Sequence, residues 1–366
     1  MRILQKDDPG AIFKTLKSKG VDLDELISSA VSLKKVIVIC GPTCTGKSAL
    51  AVNLAGIFHT DIISVDSMQV YRGMDIGTDK FDTSLSGIKQ YMTDIFEPDF
   101  NVTAVLFRDM CRKIIRKEFF HRRKIPVLAG GSGLYMRAVT DDLEFTSSAA
   151  AGRYIENLFS DSAIFDSFLS KNTRSEIIKE IENEGAGNVY EKLKKIDPEY
   201  AQKISKNDTR RIIRALEVFK TTGYPFSNFQ KKWNKRNSFY NSTFIGLARE
   251  KNILYGCISE RVESMFKKGF VSEVERLIKS GHGNSGSILQ AVGYREVLKY
   301  IGGSITLAGC KEEIKTATKK LAKKQMTWFK ADPRINWINT DDYSSISNLL
   351  IEVISIIWKD LNYEKN

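Results

Sequence analysis

Val36-Ile-Val-Ile-Cys40 runs directly into Gly41-Pro-Thr-Cys-Thr-Gly46-Lys47-Ser48, and this junction gives the clearest indication of the fold class. The first part is a continuous apolar run, which is typical of a strand buried on both faces of a parallel sheet. The second part matches the pattern G-x-x-x-x-G-K-[ST], in which a loop opens a helix and holds phosphate oxygens with its backbone N–H groups. The sequence therefore predicts a phosphate-binding loop between a central strand and a helix.

The phosphate-binding loop combines the groups that a di- or triphosphate needs. Lys47 adds a positive charge to the backbone N–H groups, and the Ser48 hydroxyl is the expected Mg²⁺ ligand. The motif does not distinguish between ATP, GTP and other pyrophosphate esters. The residues that we expect to bind the phosphates are Gly41, Pro42, Thr43, Cys44, Thr45, Gly46, Lys47 and Ser48.

Strands and helices alternate after the loop. Asp61 to Asp66 and Lys124 to Ala129 are the next two predicted strands, with a helical stretch from Phe107 to His121 between them. This alternation predicts an α/β fold of the P-loop NTPase type, in which helices cover both faces of a parallel sheet. Later strands are predicted over Asn241 to Leu247 and near Ile335 to Ile338.

Four segments follow from the pattern along the chain. Residues 1–34 read as a helical extension, and residues 35–148 as the first part of the P-loop core. Residues 149–238 lose all strand signals and keep a helical period, which indicates an all-helical insertion domain. Residues 239–366 are expected to complete the core and to add C-terminal helices.

The composition is that of an ordinary globular protein with a basic excess. The 366 residues are 42% hydrophobic, and the formal net charge of +12 favours a polyanionic partner. No apolar run is long enough for a membrane span, and the N-terminus has the features of neither a secretory signal nor a transit peptide. We therefore expect a cytoplasmic protein without a membrane partner. The five scattered cysteines argue against disulfides and zinc.

Two further polar stretches follow predicted strands at the same sheet edge. Asp66 ends the second strand, where open α/β folds bind ligands, and it is either a Mg²⁺ ligand or a general base. A simple helix cap is the non-functional alternative. Gly130-Gly131-Ser132-Gly133-Leu134-Tyr135 follows the third strand and offers a second anion or substrate cradle, with the Ser132 hydroxyl as a donor. Taken alone, this second stretch would be read as a tight turn.

The order of these motifs resembles that of the tRNA dimethylallyltransferases, the isopentenyl (IPP) transferases that act on tRNA adenosine. The resemblance covers about residues 35 to 340, and its motifs are specific enough to make coincidence remote. The matching stretches are Gly41–Ser48, Asp61–Gln69, Tyr71–Thr78, Gly130–Tyr135, Ile196–Pro198, Asn207–Asp208, Arg210–Glu217, Gly223, Val292–Glu296 and Thr318–Lys330.

The resemblance implies transfer of a dimethylallyl group from dimethylallyl diphosphate to N6 of the adenosine next to the anticodon. The implied substrates are tRNAs that read codons beginning with U, and diphosphate is released. The loop would then hold a leaving group, with Mg²⁺ and Lys47 neutralising its charge. By the same resemblance, Asp66 is the catalytic base on the adenine amine, and Ser132 contacts the base or the pyrophosphate. The expected state is a monomer.

Basic charge is concentrated in two stretches that coincide with these motifs. Lys203–Arg236 has ten basic against two acidic residues, and Lys311–Lys330 has seven against two, giving net charges of +8 and +5. Phosphate contacts of this kind provide affinity, while an extruded base provides specificity. The residues that the resemblance implies as tRNA contacts are Asp66, Ser67, Met68, Gln69, Arg210, Arg211, Arg214, Gln290, Gly293, Tyr294, Arg295, Lys323, Lys324, Gln325, Trp328 and Lys330.

The chain departs from the family pattern at several positions. Gln90-Tyr91 stands where a histidine pair is common, and Cys257 replaces a common arginine. Lys251 also stands at an arginine position, so we expect it to bind the diphosphate without a bidentate fork. The late arginines of the family are lysines here. None of these changes touches the phosphate loop or Asp66, so we expect an active enzyme.

Three alternatives remain at this point. An isopentenyltransferase acting on free AMP or ADP shares the fold, but it has no need for the basic insertion. A small-molecule P-loop kinase would require ATP, whereas the implied reaction releases pyrophosphate without it. A GTPase-type RNA-binding module would need Asn-Lys-x-Asp to read guanine, and the Asn234-Lys235 pair continues into Arg236-Asn237 instead.

Overall fold

A parallel sheet organises the part of the chain that the computed structural model describes, namely residues 9–81, 87–143, 166–228 and 237–363. Its strands are β1 Val36–Cys40, β2 Ile62–Ser64, β3 Gln90–Tyr91, β4 Val127–Gly130, β5 Ser242–Ala248 and β6 Ile335–Asn339. Their spatial order is β3-β2-β4-β1-β5-β6, and every pairing is parallel. The predicted α/β class with a P-loop-type parallel sheet is confirmed.

Strand β1 lies at the centre of this sheet because its side chains are apolar on both faces. All five residues from Val36 to Cys40 are fully buried, as expected for a strand covered by helices on both sides. Ile37 pairs with Val127 of β4 on one side and with Thr243 of β5 on the other. The two-residue edge strand β3 was not predicted, because two residues carry no recognisable period.

Helices connect and cover the strands. Up to residue 140 they are α1 Pro9–Ser18, α2 Leu23–Ser32, α3 Lys47–Ile57, α4 Ala104–Ile114 and α5 Gly133–Thr140, and a π-helical segment, Ile115–Phe120, continues α4. The helical stretch between β4 and β5 contains α6 Asp166–Glu184, α7 Ala186–Ile196, α8 Pro198–Ala201 and α9 Thr209–Thr222. The later helices are α10 Lys251–Lys267, α11 Phe270–Lys279, α12 Gly286–Gln290, α13 Tyr294–Ile301, α14 Leu307–Lys330 and α15 Ile346–Tyr363.

The chain divides into two compact units. One contains residues 1–103, 111–140 and 240–366, and the other contains residues 104–110 and 141–239. The second unit therefore begins earlier than the predicted insertion 149–238, and it also takes in most of the first two turns of α4. The predicted boundary near residue 149 lies outside the described residues.

Helices make up the regular secondary structure described in the second unit, apart from an isolated antiparallel bridge between Asp141 and Ser238. Its core joins Ile177 of α6, Leu193 of α7 and Ile212 and Leu216 of α9. Asp197 caps α8 by accepting from the Tyr200 N–H, so the Asp-Pro pair starts a new helix at this point. The helical period of the sequence thus reflects a separate apolar core.

The N-terminal extension is a helical hairpin that packs into the core of the first unit. Leu16 of α1 and Leu26 of α2 are fully buried, in the same apolar cluster as Val353 and Ile357 of α15. The strand that follows is also tied to α15, because the buried Lys35 ammonium lies 2.8 Å from Asp360. Residues 9–34 are therefore part of the first unit's core.

No helix within the described ranges is both long and apolar enough to cross a membrane. The most apolar late helix, α15, instead buries one face against α1, α2 and α3. Its apolar residues are accounted for by this packing.

We expect Leu16→Ala to lower the free energy of unfolding by about 2–5 kcal/mol, because it leaves a cavity in a core shared with α15. Urea unfolding with an unchanged slope measures this difference. Lys14→Ala is the matched control, since Lys14 is exposed on the same helix. If Leu16→Ala is as stable as the control, the hairpin does not unfold together with the core.

Candidate active site

The phosphate loop adopts its shape through bonds within itself. The Thr45 hydroxyl donates to the Pro42 carbonyl at 2.9 Å, and the Lys47 ammonium donates to the same oxygen at 2.6 Å. Cys44 has a positive φ of 64°, and Gly46 starts α3 with a φ of 92°. Ser48 is exposed on the first turn of α3. The loop thus lies at the N-terminus of a helix, where anions bind.

A side chain from the far end of the sequence holds this loop in place. Gln325 of α14 accepts from the Thr43 N–H at 2.9 Å and donates to the Gly131 carbonyl at 3.1 Å. Its amide therefore links the phosphate loop to the turn after β4. We predicted Gln325 as a tRNA contact, but in this structure both ends of its amide are engaged within the protein.

Trp328, one turn further along α14, packs against the same turn after β4. A Cβ atom added to Gly133 would lie 1.8 Å from the Trp328 Cδ1 atom, so only glycine fits there. The indole still has 39% of its surface exposed. Trp328 can therefore both seal the turn and offer an aromatic edge to an RNA base.

Arg261 of α10 is a functional candidate that our sequence reasoning missed. Its guanidinium donates to the Thr43 hydroxyl and lies 3.2 Å from the Asp79 carboxylate. It also interacts electrostatically with Lys47 and Asp66. A signal was present, since Arg261 lies ten residues after Lys251 in the same predicted helix. Its distance of 218 residues from Thr43 hid the contact.

Asp66 lies beside these cations, two residues beyond the end of β2. Its Oδ1 atom accepts from the Met68 N–H at 2.9 Å, which fixes the carboxylate in a tight turn. Burial raises the pKa of Asp66, while the Met68 N–H, Lys47 and Arg261 oppose that rise. A carboxylate with a raised pKa is a stronger base, which suits proton abstraction.

Burial acts on Lys47 in the opposite direction. Loss of water around the ammonium lowers the pKa of Lys47 to about 8, and the attraction of Asp66 opposes this change. Lys47 therefore loses its proton at a lower pH than an exposed lysine does. A bound anion would favour the charged form.

Ser132 connects the turn after β4 to the Asp66 turn. Its hydroxyl accepts from the Ser67 N–H at 3.1 Å and lies 3.3 Å from the Ser67 hydroxyl. The predicted pair Asp66 and Ser132 is therefore brought to one edge of the sheet, together with the phosphate loop.

Two predicted tRNA contacts are buried. Gln69 accepts from the Ser64 hydroxyl at 2.6 Å and donates to the Thr78 carbonyl at 3.1 Å. Tyr294 is fully buried, and its hydroxyl donates to Glu273 at 2.6 Å. Neither side chain presents a surface to an RNA in this structure, so burial speaks against a direct contact by either one.

Lys251, predicted to bind the diphosphate, is exposed at the start of α10, with its ammonium 5.8 Å from the centre of the Tyr255 ring. Cys257, which replaces a common arginine, accepts from the Arg249 guanidinium at 2.8 Å. Arg249 also pairs with Asp341 at 2.8 Å. Among the described residues, the arginine that reaches the phosphate loop is Arg261.

The other predicted tRNA contacts fall into three groups. On α14, Lys323, Lys324 and Lys330 are exposed. Gln290 and Arg295 are exposed near the start of α13, where Gly293 provides the N-cap with a φ of 99°, and Arg295 pairs with Glu296 at 2.6 Å. In the helical unit, Arg210, Arg211 and Arg214 are exposed on α9. Part of the charged stretch of that unit, residues 229–236, lies outside the described residues.

Two family models match this chain. The one described as IPP transferase matches residues 69–332, and the one described as Isopentenyl transferase matches residues 34–100. The first match alone covers more than half of the chain. The chain belongs to the IPP transferase family. Neither match includes the N-terminal hairpin α1–α2.

Relatives of this chain are similar to it over nearly their whole length. A tRNA dimethylallyltransferase of Caldanaerobacter subterraneus subsp. tengcongensis is 41% identical over 332 residues, which cover 90% of this chain and 99% of the relative. One of Thermoanaerobacter sp. is 39% identical with the same coverage.

Solved structures agree with the sequence comparison. The tRNA isopentenylpyrophosphate transferase of Bacillus halodurans gives a TM-score of 0.62 at 32% identity, covering 91% of this IPP transferase and 98% of that chain. A eukaryotic dimethylallyltransferase, solved while acting on tRNA, gives a TM-score of 0.67 at 27% identity, covering 84% and 74%. Both therefore share the family fold.

The site also fits a magnesium ion brought in with a diphosphate. Within the described part of this IPP transferase, no cluster of three or more His, Cys, Asp or Glu residues could hold a metal. Mg²⁺ commonly keeps several waters and binds through one or two protein oxygens together with substrate phosphates. Ser48 and Asp66 are oxygen donors at the phosphate-binding edge, so the residues present fit such an ion.

We expect the affinity of the IPP transferase for inorganic pyrophosphate to fall above a pH of about 8, because Lys47 then loses its charge. The loss should approach about tenfold per pH unit if the ammonium is required. Calorimetric titration at constant magnesium measures it.

Lys47→Arg is the control for this titration, because a guanidinium stays protonated throughout the range. Subtracting its profile removes the ionisation of pyrophosphate itself. Parallel profiles for the wild type and the variant would show that Lys47 does not set the alkaline limit.

Proposed function

We propose that this chain transfers a dimethylallyl group from dimethylallyl diphosphate to the exocyclic N6 of an adenosine in tRNA. One observation carries the proposal: the Asp66 carboxyl, fixed in its turn by the Met68 N–H, lies at the same edge of the parallel sheet as the phosphate loop, which Arg261 contacts through Thr43. A base beside a diphosphate site is the arrangement that this transfer needs.

The chemistry follows from the cluster. The bond between the allylic carbon and the diphosphate oxygen breaks, and the carbon forms a new bond to the adenine nitrogen. Asp66 accepts the proton that the nitrogen loses. The loop N–H groups and Lys47 stabilise the negative charge that develops on the departing diphosphate, and Arg261, which donates to the Thr43 hydroxyl, adds a second positive charge beside the loop.

Magnesium is part of the proposal. Ser48 is the residue that we propose would hold Mg²⁺. When bound, the ion supplies positive charge to the diphosphate. The protein groups named above bind and orient the substrate and accept its proton.

The partners follow from the same site and from the relatives' names. Relatives that are about 40% identical over 99% of their length are tRNA dimethylallyltransferases, which supports tRNA as the acceptor. We propose a monomer as the acting form. A tRNA acceptor also supports the cytoplasm as its compartment. We further propose that the acceptor is the adenosine next to the anticodon, in tRNAs that read codons beginning with U.

The alternatives make different predictions from the same assay. Pyrophosphate release from dimethylallyl diphosphate in the presence of tRNA, without ATP, is expected of the proposed transferase. A kinase would require ATP. An enzyme for free nucleotides would accept AMP or ADP at a rate comparable to that with tRNA.

We expect Asp66→Asn to slow dimethylallyl transfer by about 10²-fold or more, because the amide keeps the Met68 hydrogen bond but cannot accept a proton. Single-turnover transfer to unmodified tRNA measures the rate. Asp61→Asn is the matched control, since Asp61 precedes the same strand and pairs with Lys124. A near-normal rate for Asp66→Asn would reject the assignment of the base.

We expect Arg210→Gln to weaken tRNA binding for all sequences and to lower the salt dependence of binding by about one unit of slope. Within the described residues no carboxylate pairs with Arg210, whereas Arg211 pairs with Asp208 and Arg214 pairs with Glu217. Its charge is thus available to a phosphate. Filter binding across a salt series measures the slope.

The control for this experiment is Lys192→Gln. Lys192 is a lysine of the same helical unit that pairs with two glutamates, Glu180 and Glu184. Equal slopes for Arg210→Gln and Lys192→Gln would show that α9 does not contact the tRNA backbone.

A further inference from the structure

A buried carboxylate lies behind the loop that follows the Asp66 turn. Glu273 of α11 is 2% exposed. Its Oε2 atom accepts from the N–H groups of Asp75 and Ile76, at 3.1 and 2.7 Å, and its Oε1 atom accepts from Gly77 at 3.2 Å. One side chain therefore takes three consecutive backbone donors. The turn over residues 75–77 is built around it.

Tyr294 completes this arrangement. Its hydroxyl donates to the Oε1 atom of Glu273 at 2.6 Å, and its ring lies against Gly77, where an added Cβ atom would come within 2.2 Å. Burial and the nearby carboxylate raise the pKa of Tyr294, so the hydroxyl stays a donor. The motifs around residues 75–78 and 292–296, which the reaction itself does not use, meet at Glu273.

The turn leads directly to a charged contact with the phosphate loop. Asp79 has a positive φ of 56°, and its carboxylate lies 3.2 Å from the guanidinium of Arg261. Arg261 in turn donates to the Thr43 hydroxyl. A continuous set of contacts therefore runs from Glu273 through the turn to Asp79, Arg261 and the loop.

The same turn is also tied to the Asp66 side of the site. Gln69 donates to the Thr78 carbonyl at 3.1 Å and lies 3.4 Å from that of Asp79. Gln69 on the Asp66 side and Arg261 on the phosphate-loop side therefore both depend on the position of this turn. Among the described residues no cation pairs with Glu273, so its charge is balanced by N–H and O–H donors alone.

We propose that Glu273 is a positioning residue that acts through the 75–79 turn and Asp79 to hold Arg261 against the phosphate loop. The inference rests on the proposed function in one respect, namely that this loop binds the diphosphate of the substrate. A role confined to packing would stabilise the fold without changing diphosphate binding. The two readings therefore differ in a measurable way.

The test uses binding of inorganic pyrophosphate, measured by calorimetry on the full chain. Glu273→Gln keeps the shape of the side chain, but its amide N–H group faces one of the backbone N–H groups that the carboxylate accepted from, so that hydrogen bond is lost. We expect it to weaken pyrophosphate binding by about tenfold. Asp79→Asn, at an exposed position, should weaken it by a similar factor, since it releases Arg261. In steady-state assays both should raise KM for dimethylallyl diphosphate more than KM for tRNA.

The double variant decides whether the two residues act together. If Glu273 acts through Asp79, the pyrophosphate affinity of the double variant should be within about twofold of that of the single variant that binds more weakly. Losses that multiply to about a hundredfold would mean that the two act independently, which overturns the proposal. Unchanged binding in Glu273→Gln would overturn it as well.

Asp197→Asn is the matched control for stability. Asp197 is equally buried and also accepts from two backbone N–H groups, those of Tyr200 and Ser227, but it lies in the helical unit. We expect it to lower Tm with pyrophosphate binding unchanged. If it weakens pyrophosphate binding as much as Glu273→Gln does, the effect is general destabilisation and the proposal fails.

Two further comparisons keep the result interpretable. Should Glu273→Gln not fold, Tyr294→Phe removes one of the four donors to Glu273. It should then weaken pyrophosphate binding by a smaller factor, and unchanged binding would count against the proposal. If the wild-type chain binds pyrophosphate but transfers no dimethylallyl group, the proposed function fails while the positioning test still stands.

Discussion

The amide of Gln325 is the contact on which the rest of the site depends. It bridges the Thr43 N–H of one anion-binding loop and the Gly131 carbonyl of the other, across 282 and 194 residues of sequence. The bridge can form only when α14 has docked against the sheet edge. The two loops are therefore fixed relative to each other by tertiary packing, and the phosphate site exists only in the completed first unit.

The charges around this bridge are poised for a ligand. Burial lowers the pKa of Lys47 and raises the pKa of Asp66, so the charged form of each group is less stable here than it is in water. Their mutual attraction opposes both changes. A diphosphate would add negative charge next to Lys47 and Arg261, while a neutral acceptor amine would meet Asp66. The desolvation that weakens these charges alone also strengthens their interaction with a bound substrate.

Buried polar groups elsewhere in the first unit fix one segment of the chain against another. Lys35 joins the start of β1 to Asp360 near the end of α15, and Glu273 gathers three backbone N–H groups of one turn. In each case a hydrogen-bonded ion fixes one segment against another, whereas an apolar contact would allow sliding. The N-terminal hairpin contributes in the opposite way, through apolar burial against α15. Both kinds of contact hold elements that lie far apart in sequence.

The amino-acid pattern predicts most of the sheet, the phosphate loop and the edge at which Asp66 and Ser132 meet, whereas the two-residue strand β3 was not predicted. These follow from local patterns, because parallel strands joined by helices place their carboxyl ends on one side. The packing of distant elements was needed to show that Arg261 reaches the loop, that Gln325 bridges two turns and that Tyr294 donates to Glu273. The hydrophobic period of a segment indicates which face of a helix or strand a residue occupies. The partner of that residue depends on how distant elements pack, which the local period does not specify.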